Sequence, residues 1–111
     1  MKHEKNLLSG STPLLVLSLL KDGDKYGYEM IEELSRRSDD TFHLKEGTLY
    51  PLLHTMEKDK LVTSYTKATP CGRERKYYHL TTHGASQLKE KEAEWKLFSA
   101  KVNAVLGFTG A

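Results

Sequence analysis

Four segments of the chain repeat their apolar residues at helical spacing. Residues 14–20 are apolar nearly all round and follow Ser11-Thr12-Pro13, a sequence that caps and starts a helix. This segment therefore predicts a helix within the core, ended near Gly23. A second helix is predicted from about Tyr26 to Arg37, with glutamates mostly on its polar side. Its apolar face consists of Tyr28, Ile31 and Leu34.

The third helix is predicted from about Glu46 to Asp59. Its buried stripe follows the i, i+3, i+4, i+7 pattern through Leu49, Leu52, Leu53 and Met56. Pro51 would break a helix interior but is tolerated in a first turn, so the helix should begin close before it. The opposite face is polar and carries Thr48, Tyr50, His54, Thr55 and Lys58.

Two strands joined by a turn-forming segment follow the third helix. Residues 61–67 and 75–80 contain the β-branched and aromatic residues that favour strands, and the segment between them contains Pro70 and Gly72. The pattern predicts a β-hairpin with a long, basic tip. Its cations are Lys67, Arg73, Arg75 and Lys76.

The last and longest helix is predicted from Thr81 or Thr82 to about Leu106. Two sets of apolar residues repeat every seven positions along it, which indicates a short heptad seam. A helix of about 25 residues is roughly 37 Å long, more than a small domain can cover, so the seam would stay exposed in a monomer. We therefore expect a homodimer whose interface contains Leu88, Trp95, Phe98, Val102, Val105 and Leu106.

The order of these elements, three helices, a hairpin and a helix, is typical of a winged helix-turn-helix. The predicted fold class is mainly α with a small β-hairpin. We expect residues 1–81 to form a DNA-binding domain and residues 82–111 to form a C-terminal dimerisation helix. In this architecture the third helix enters the major groove of DNA, and the hairpin, called the wing, lies along the backbone or in the minor groove.

The distribution of charge sharpens the expected partner. The 111 residues carry a net charge of only +2. Residues 22–46, however, hold eight acidic and four basic side chains, whereas residues 47–81 hold three acidic and six basic ones. The basic excess therefore falls on the third helix and the hairpin, the two elements expected to face DNA.

Composition also excludes several classes of site. The single cysteine, Cys71, rules out an internal disulfide and a cysteine-based zinc site, and it favours a reducing, cytoplasmic location. No segment has the apolar length of a signal peptide or a membrane span. The sequence offers no histidine metal set, nucleophile–base pair or Gly-rich phosphate loop, so we expect neither an enzyme nor a cofactor.

Ten residues are candidates for contact with DNA. The alternative for those on the third helix and hairpin is a solvated polar or basic surface. Tyr26 either donates its hydroxyl to a phosphate or packs as an aromatic at the start of the second helix. Tyr28 and Gly27 are expected to be structural, as a core aromatic and a close backbone approach. The ten candidates are Tyr26, Lys45, Thr48, Tyr50, His54, Lys58, Lys67, Arg73, Arg75 and Lys76.

Three stretches of the chain resemble the PadR family of bacterial transcription regulators. They are KYGYEMIEEL, EGTLYPLLHTMEKDKLV and GRERKYYHLTTHGASQL, and the resemblance covers residues 14–88. It implies a winged-helix, dimeric, DNA-binding protein that usually represses transcription, in the short form with one C-terminal helix. Two positions depart from the family pattern. Lys60 stands where glycine is common, and Lys45 stands where a small capping residue usually precedes the third helix.

The resulting hypothesis is a sequence-specific regulator, a repressor released by a small-molecule effector. The alternative is a winged-helix module that binds proteins and not DNA. Trp95 and Phe98, with their two-fold mates, either line a cavity for a flat aromatic effector or form plain interface packing. Cys71 is either a redox sensor, activated by neighbouring arginines, or an unreactive exposed thiol.

Overall fold

Four helices and three short strands make up the part of the chain that the computed structural model describes, residues 11–108. The helices are α1 (Thr12–Lys21), α2 (Gly27–Arg37), α3 (Glu46–Lys58) and α4 (Thr82–Leu106). The strands are β1 (Lys25–Tyr26), β2 (Val62–Ala68) and β3 (Glu74–Leu80). This order confirms the predicted winged-helix fold and adds one strand, β1, that hydrophobic patterning did not predict.

The core forms where the apolar stripes of α1, α2 and α3 meet the sheet and the start of α4. Its fully buried side chains include Leu17 of α1, Met30 of α2, Leu53 of α3 and Val62 of β2. Helix α1 packs against α2, α4 and β3, as its nearly all-apolar sequence predicts. Ser11 stands at its N-cap without a side-chain capping bond, contrary to expectation. Among the described residues, no helix is long and apolar enough to cross a membrane.

The second helix is turned by about one position from its predicted orientation. Tyr28 was expected in the core but is 56% exposed. The buried residues of α2 are Gly27, Met30 and Leu34, an i, i+3, i+7 series. Periodicity alone did not separate these two neighbouring stripes, because both include Leu34.

The sheet is antiparallel, with β3 between β1 and β2. Tyr77 of β3 lies opposite both Tyr26 of β1 and Tyr65 of β2. Strand pairing continues to Lys67 opposite Arg75 and Ala68 opposite Glu74. The hairpin loop is therefore residues 69–73, closed by a 2.7 Å bond from the Thr69 amide to the Arg73 carbonyl. Of the four cations assigned to the tip, only Arg73 lies in the loop.

Both departures from the family pattern at the ends of α3 have a structural counterpart. Lys45 is the N-cap residue, and its side chain makes no capping bond. Lys60, just after the helix, has φ 64°, a left-handed conformation that glycine adopts more readily. Pro51 lies six residues into α3, deeper than the predicted first turn. It removes the amide that would have bonded to the Gly47 carbonyl.

The start of α4 is fastened to the α3–β2 connection. The Thr81 hydroxyl lies 2.7 Å from the Lys60 carbonyl oxygen and 3.0 Å from that of Leu61, and it accepts a bond from the Gly84 amide at 2.9 Å. The Thr81 amide also donates to the Leu61 carbonyl. Gly84 leaves no room for a side chain, since an added Cβ would lie 2.7 Å from Leu80 Cδ1.

Candidate nucleic-acid interface

Helix α3 presents a polar face to solvent on the side opposite its buried leucines. Leu49, Leu53 and Met56 are buried. All five polar residues predicted on the opposite face are exposed, as is Lys45 at the N-cap. The Thr55 hydroxyl donates to the Pro51 carbonyl and so is used within the helix. The exposed candidates are Lys45, Thr48, Tyr50, His54 and Lys58.

Tyr50 differs from the other exposed residues of α3 because its ring leans on the start of α2. An added Cβ at Gly27 would lie 2.6 Å from Tyr50 Cζ, which confirms the predicted close backbone approach at this glycine. Partial burial raises the pKa of the Tyr50 hydroxyl. Tyr50 therefore fixes the distance between α2 and α3 while leaving part of its ring accessible.

Three tyrosines form a continuous cluster on one face of the sheet, which we call the outer face. The rings of Tyr65 and Tyr77 are stacked, with centroids 5.7 Å apart and planes 14° apart. Tyr26 meets Tyr77 edge-on, with centroids 5.5 Å apart. Tyr26 is half-buried here, which agrees with its alternative as a packed boundary aromatic.

Asp24 joins the base of the outer face to the turn before α2. Its carboxylate accepts a 2.7 Å bond from the Tyr65 hydroxyl and lies 2.8 Å from His79 Nδ1. The bond from Tyr65 lowers the pKa of Asp24, and the His79 contact acts in the same direction. The same bond raises the pKa of Tyr65. Asp24 thus connects the aromatic cluster to the turn that follows α1.

The wing cations do not form the single cluster that the sequence suggested. Lys67 and Arg75 share the outer face, with Lys67 Nζ 5.9 Å from the Tyr77 ring centroid and Arg75 Cζ 4.3 Å from that of Tyr26. Lys76 lies on the other face, 5.6 Å from the Tyr78 centroid. The reason is strand alternation, which sends neighbouring side chains to opposite faces.

These cations contrast with the arginines of α2. Arg37 pairs with Glu33 and Asp22, at 2.7 and 2.9 Å, and Arg36 also pairs with Glu33. Within residues 11–108, by contrast, none of the four wing cations makes an ion pair. Both arginines of α2 are thus matched by carboxylates, whereas no ion pair among these residues compensates the positive charge of the wing.

Comparison with known proteins places the chain among transcriptional regulators. The model of the "Transcriptional regulator PadR-like family" matches residues 16–90. The chain belongs to this family. The crystal structure of a PadR-like transcriptional regulator from Bacillus cereus is 37% identical, with 96% of this chain and 99% of that chain covered and a TM-score of 0.81. A transcriptional regulator from Clostridium thermocellum is 32% identical, with 89% and 96% covered and the same TM-score.

A transcriptional regulator of Mycobacterium tuberculosis is 35% identical over 77 residues, which cover 69% of this chain and 68% of that protein. These findings confirm the resemblance to the PadR family. PadR-like proteins are transcriptional regulators and not enzymes. They bind DNA and are generally dimeric.

In this PadR-like chain, α4 carries apolar residues far beyond the body of the protein. Trp95, Phe98, Val102 and Leu106 are all exposed, and Val105 is 87% exposed. Leu88 was predicted to join them at the dimer interface but is only 3% exposed. It belongs to the protomer's own core, because the first two turns of α4 pack on the body. Leu97 and Phe108 are also exposed apolar residues, and neither belongs to the predicted heptad seam.

Cys71 lies exposed in the hairpin loop, 3.2 Å from the Thr69 hydroxyl. That contact, with smaller contributions that include the nearby Arg75 charge, lowers the pKa of the thiol. In residues 11–108, no group of three or more potential ligands stands close enough to hold a metal ion.

Proposed function

We propose that this protein is a homodimeric, sequence-specific DNA-binding repressor. Helix α3 enters the major groove, and the hairpin of β2 and β3 lies on the neighbouring phosphates. The uncompensated positive charge of the hairpin, beside the exposed polar face of α3, is the observation that supports this most directly.

The residues of α3 divide between positioning and base recognition. Lys45 and Thr48 stand at the N-terminal end of the helix, where side chains and free amides suit phosphate oxygens. His54 and Lys58 lie one turn apart on the exposed face, so both reach the same groove. Tyr50 contributes the exposed part of its ring.

The exposed apolar residues of α4 support dimerisation through this helix. A monomer would leave Trp95, Phe98 and the residues after them in water, which favours association. Two-fold association places two α3 helices on one DNA molecule and requires an inverted-repeat operator.

The wing is tested by changing its charge. The double variant Arg73→Ala, Arg75→Ala should weaken binding to all DNA sequences and reduce the salt slope by up to about 4, because the homodimer loses four cations and each lost phosphate contact removes roughly 0.9 from the slope. Fluorescence anisotropy with DNA from the protein's own upstream region, between about 50 and 200 mM salt, measures both quantities. The matched control removes two exposed cations of α4, Lys89→Ala and Lys101→Ala.

The results separate three outcomes. If the arginine variant binds with unchanged affinity and slope, the wing assignment is wrong. If the wild-type protein binds no DNA at any salt concentration, the protein-interaction alternative replaces the proposed function. If His54→Ala lowers affinity for the operator more than for random DNA, His54 contributes to base recognition.

Regulation is proposed to act through an aromatic effector bound between the two α4 helices. Trp95 and Phe98 lie with ring centroids 5.9 Å apart and planes tilted by 38°, and both are exposed in the protomer. Trp95 is the only tryptophan in the chain, so its fluorescence reports on this site alone. Titration with planar cationic dyes should quench it and release DNA, whereas no quenching across a broad panel would contradict an effector site.

A further inference from the structure

Arg75 is the most constrained cation of the wing. Its guanidinium lies over the ring of Tyr26, with Cζ 4.3 Å from the centroid, a distance typical of cation–π stacking. Its Nε atom is buried and has no hydrogen-bond partner. Arg73 differs, because it lies exposed in the loop.

The environment of Arg75 is unusual for a half-buried arginine. Such groups are normally matched by a carboxylate or a carbonyl oxygen. Within residues 11–108, the side chain of Arg75 makes neither a hydrogen bond nor an ion pair. The guanidinium is therefore partly desolvated and fixed in plane while its charge is unmatched, which suits an anionic ligand.

Tyr26 is itself held from two sides. Its amide donates to Glu29 Oε1 at 3.2 Å, which ties it to the first turn of α2. Its ring meets Tyr77 edge-on, and the two residues lie opposite each other in the sheet. The plane on which Arg75 rests is thus set by both α2 and β3.

We propose that Tyr26 is a positioning residue that holds the Arg75 guanidinium flat for contact with one DNA phosphate. The proposal rests on the proposed function and assigns Tyr26 a role through its ring, not through its hydroxyl. It also separates the wing cations into one preorganised contact, Arg75, and flexible charges such as Arg73. Preorganisation matters because an ordered side chain loses less entropy on binding.

A double-mutant cycle tests this role, with dissociation constants measured on operator DNA over a salt series. Tyr26→Phe keeps the ring and should bind within twofold of wild type. Tyr26→Leu removes the ring and should weaken binding about fivefold. In an Arg75→Ala background, Tyr26→Leu should add less than twofold, because its effect passes through the arginine. In an Arg73→Ala background it should keep its full effect.

Arg75→Lys provides a test that leaves Tyr26 intact and keeps the charge. The change that Arg75→Lys causes in the logarithm of the dissociation constant should be at least half of the change caused by Arg75→Ala. The reason is that an ammonium group lacks the planar donors of a guanidinium. Thermal unfolding of every variant confirms that it is folded.

Three results would overturn the role of Tyr26 while leaving the proposed function in place. They are a Tyr26→Phe loss equal to that of Tyr26→Leu, a full Tyr26→Leu effect without Arg75, and wild-type affinity of Arg75→Lys. Absence of DNA binding by the wild-type protein is a different result, because it overturns the proposed function itself.

Discussion

Replacing Lys60 with glycine should stabilise this protein. Lys60 has φ 64° immediately after α3, and left-handed backbone brings Cβ close to the following carbonyl oxygen. Its side chain is exposed and makes no hydrogen bond or ion pair within residues 11–108. The bond that its carbonyl accepts from Thr81 is a backbone feature and survives the change.

Two opposing effects set the magnitude. Relief of the left-handed conformation is worth about 1–2 kcal/mol, and the extra freedom of glycine in the unfolded chain removes roughly 0.5–1 kcal/mol. The expected net gain is about 0.5–1 kcal/mol. For a chain of this length, that corresponds to an increase in melting temperature of about 2–4 °C.

Urea and thermal unfolding followed by circular dichroism measure the change, at one protomer concentration because association alters apparent stability. The matched control is Asp59→Gly at the preceding residue, whose φ of −83° gives no strain to relieve. We expect the control to lose stability. Equal destabilisation by both glycines would show that the conformation of Lys60 carries no strain.

Three further predictions concern the joint between the start of α4 and the α3–β2 connection, the outer face of the sheet, and the exposed part of α4. Gly84→Ala should lower the free energy of unfolding by about 1–3 kcal/mol because the new methyl group meets the backbone carbonyl of Leu61. The control Gly47→Ala places its methyl group in open space and should raise the free energy of unfolding by up to about 1 kcal/mol. The bond from Tyr65 lowers the pKa of Asp24 in the folded protein. The Asp24 carboxylate therefore stabilises the fold above the unfolded pKa of about 3.9, and this stability is lost as the pH falls through the folded pKa. Urea titrations of Asp24→Asn should therefore show a flatter loss of stability in acid. Val105→Asp should shift the protein to monomers in size-exclusion chromatography with light scattering, and an unchanged dimer would exclude this face of α4 as the interface.

Local patterns predicted the elements well because each pattern is complete within one segment. The leucines of α3 form a regular stripe whatever the rest of the chain does, and the hairpin is marked by its turn residues. The two-residue strand β1 was missed for the opposite reason. Lys25 and Tyr26 have no pattern of their own, and only pairing with β3 makes them a strand.

Positions within the candidate site depended on tertiary context. Leu88 and Val102 share one heptad series, but only Leu88 lies where α4 touches the body. Arg75 and Lys76 are neighbours in sequence, and the face that each occupies follows from the strand register. The stack of Arg75 on Tyr26 joins residues 49 positions apart, a distance that no local pattern spans.

The fastening at Thr81 turns α4 into a lever arm. The helix begins at a joint held by the carbonyls of Lys60 and Leu61 and by the close approach of Gly84. A change of about 10° in direction at that joint would displace the far end of a helix roughly 37 Å long by about 6 Å, nearly two base-pair steps. In the proposed dimer, a joint that resists such bending would let the crossing angle of the two α4 helices set the spacing of the half-sites.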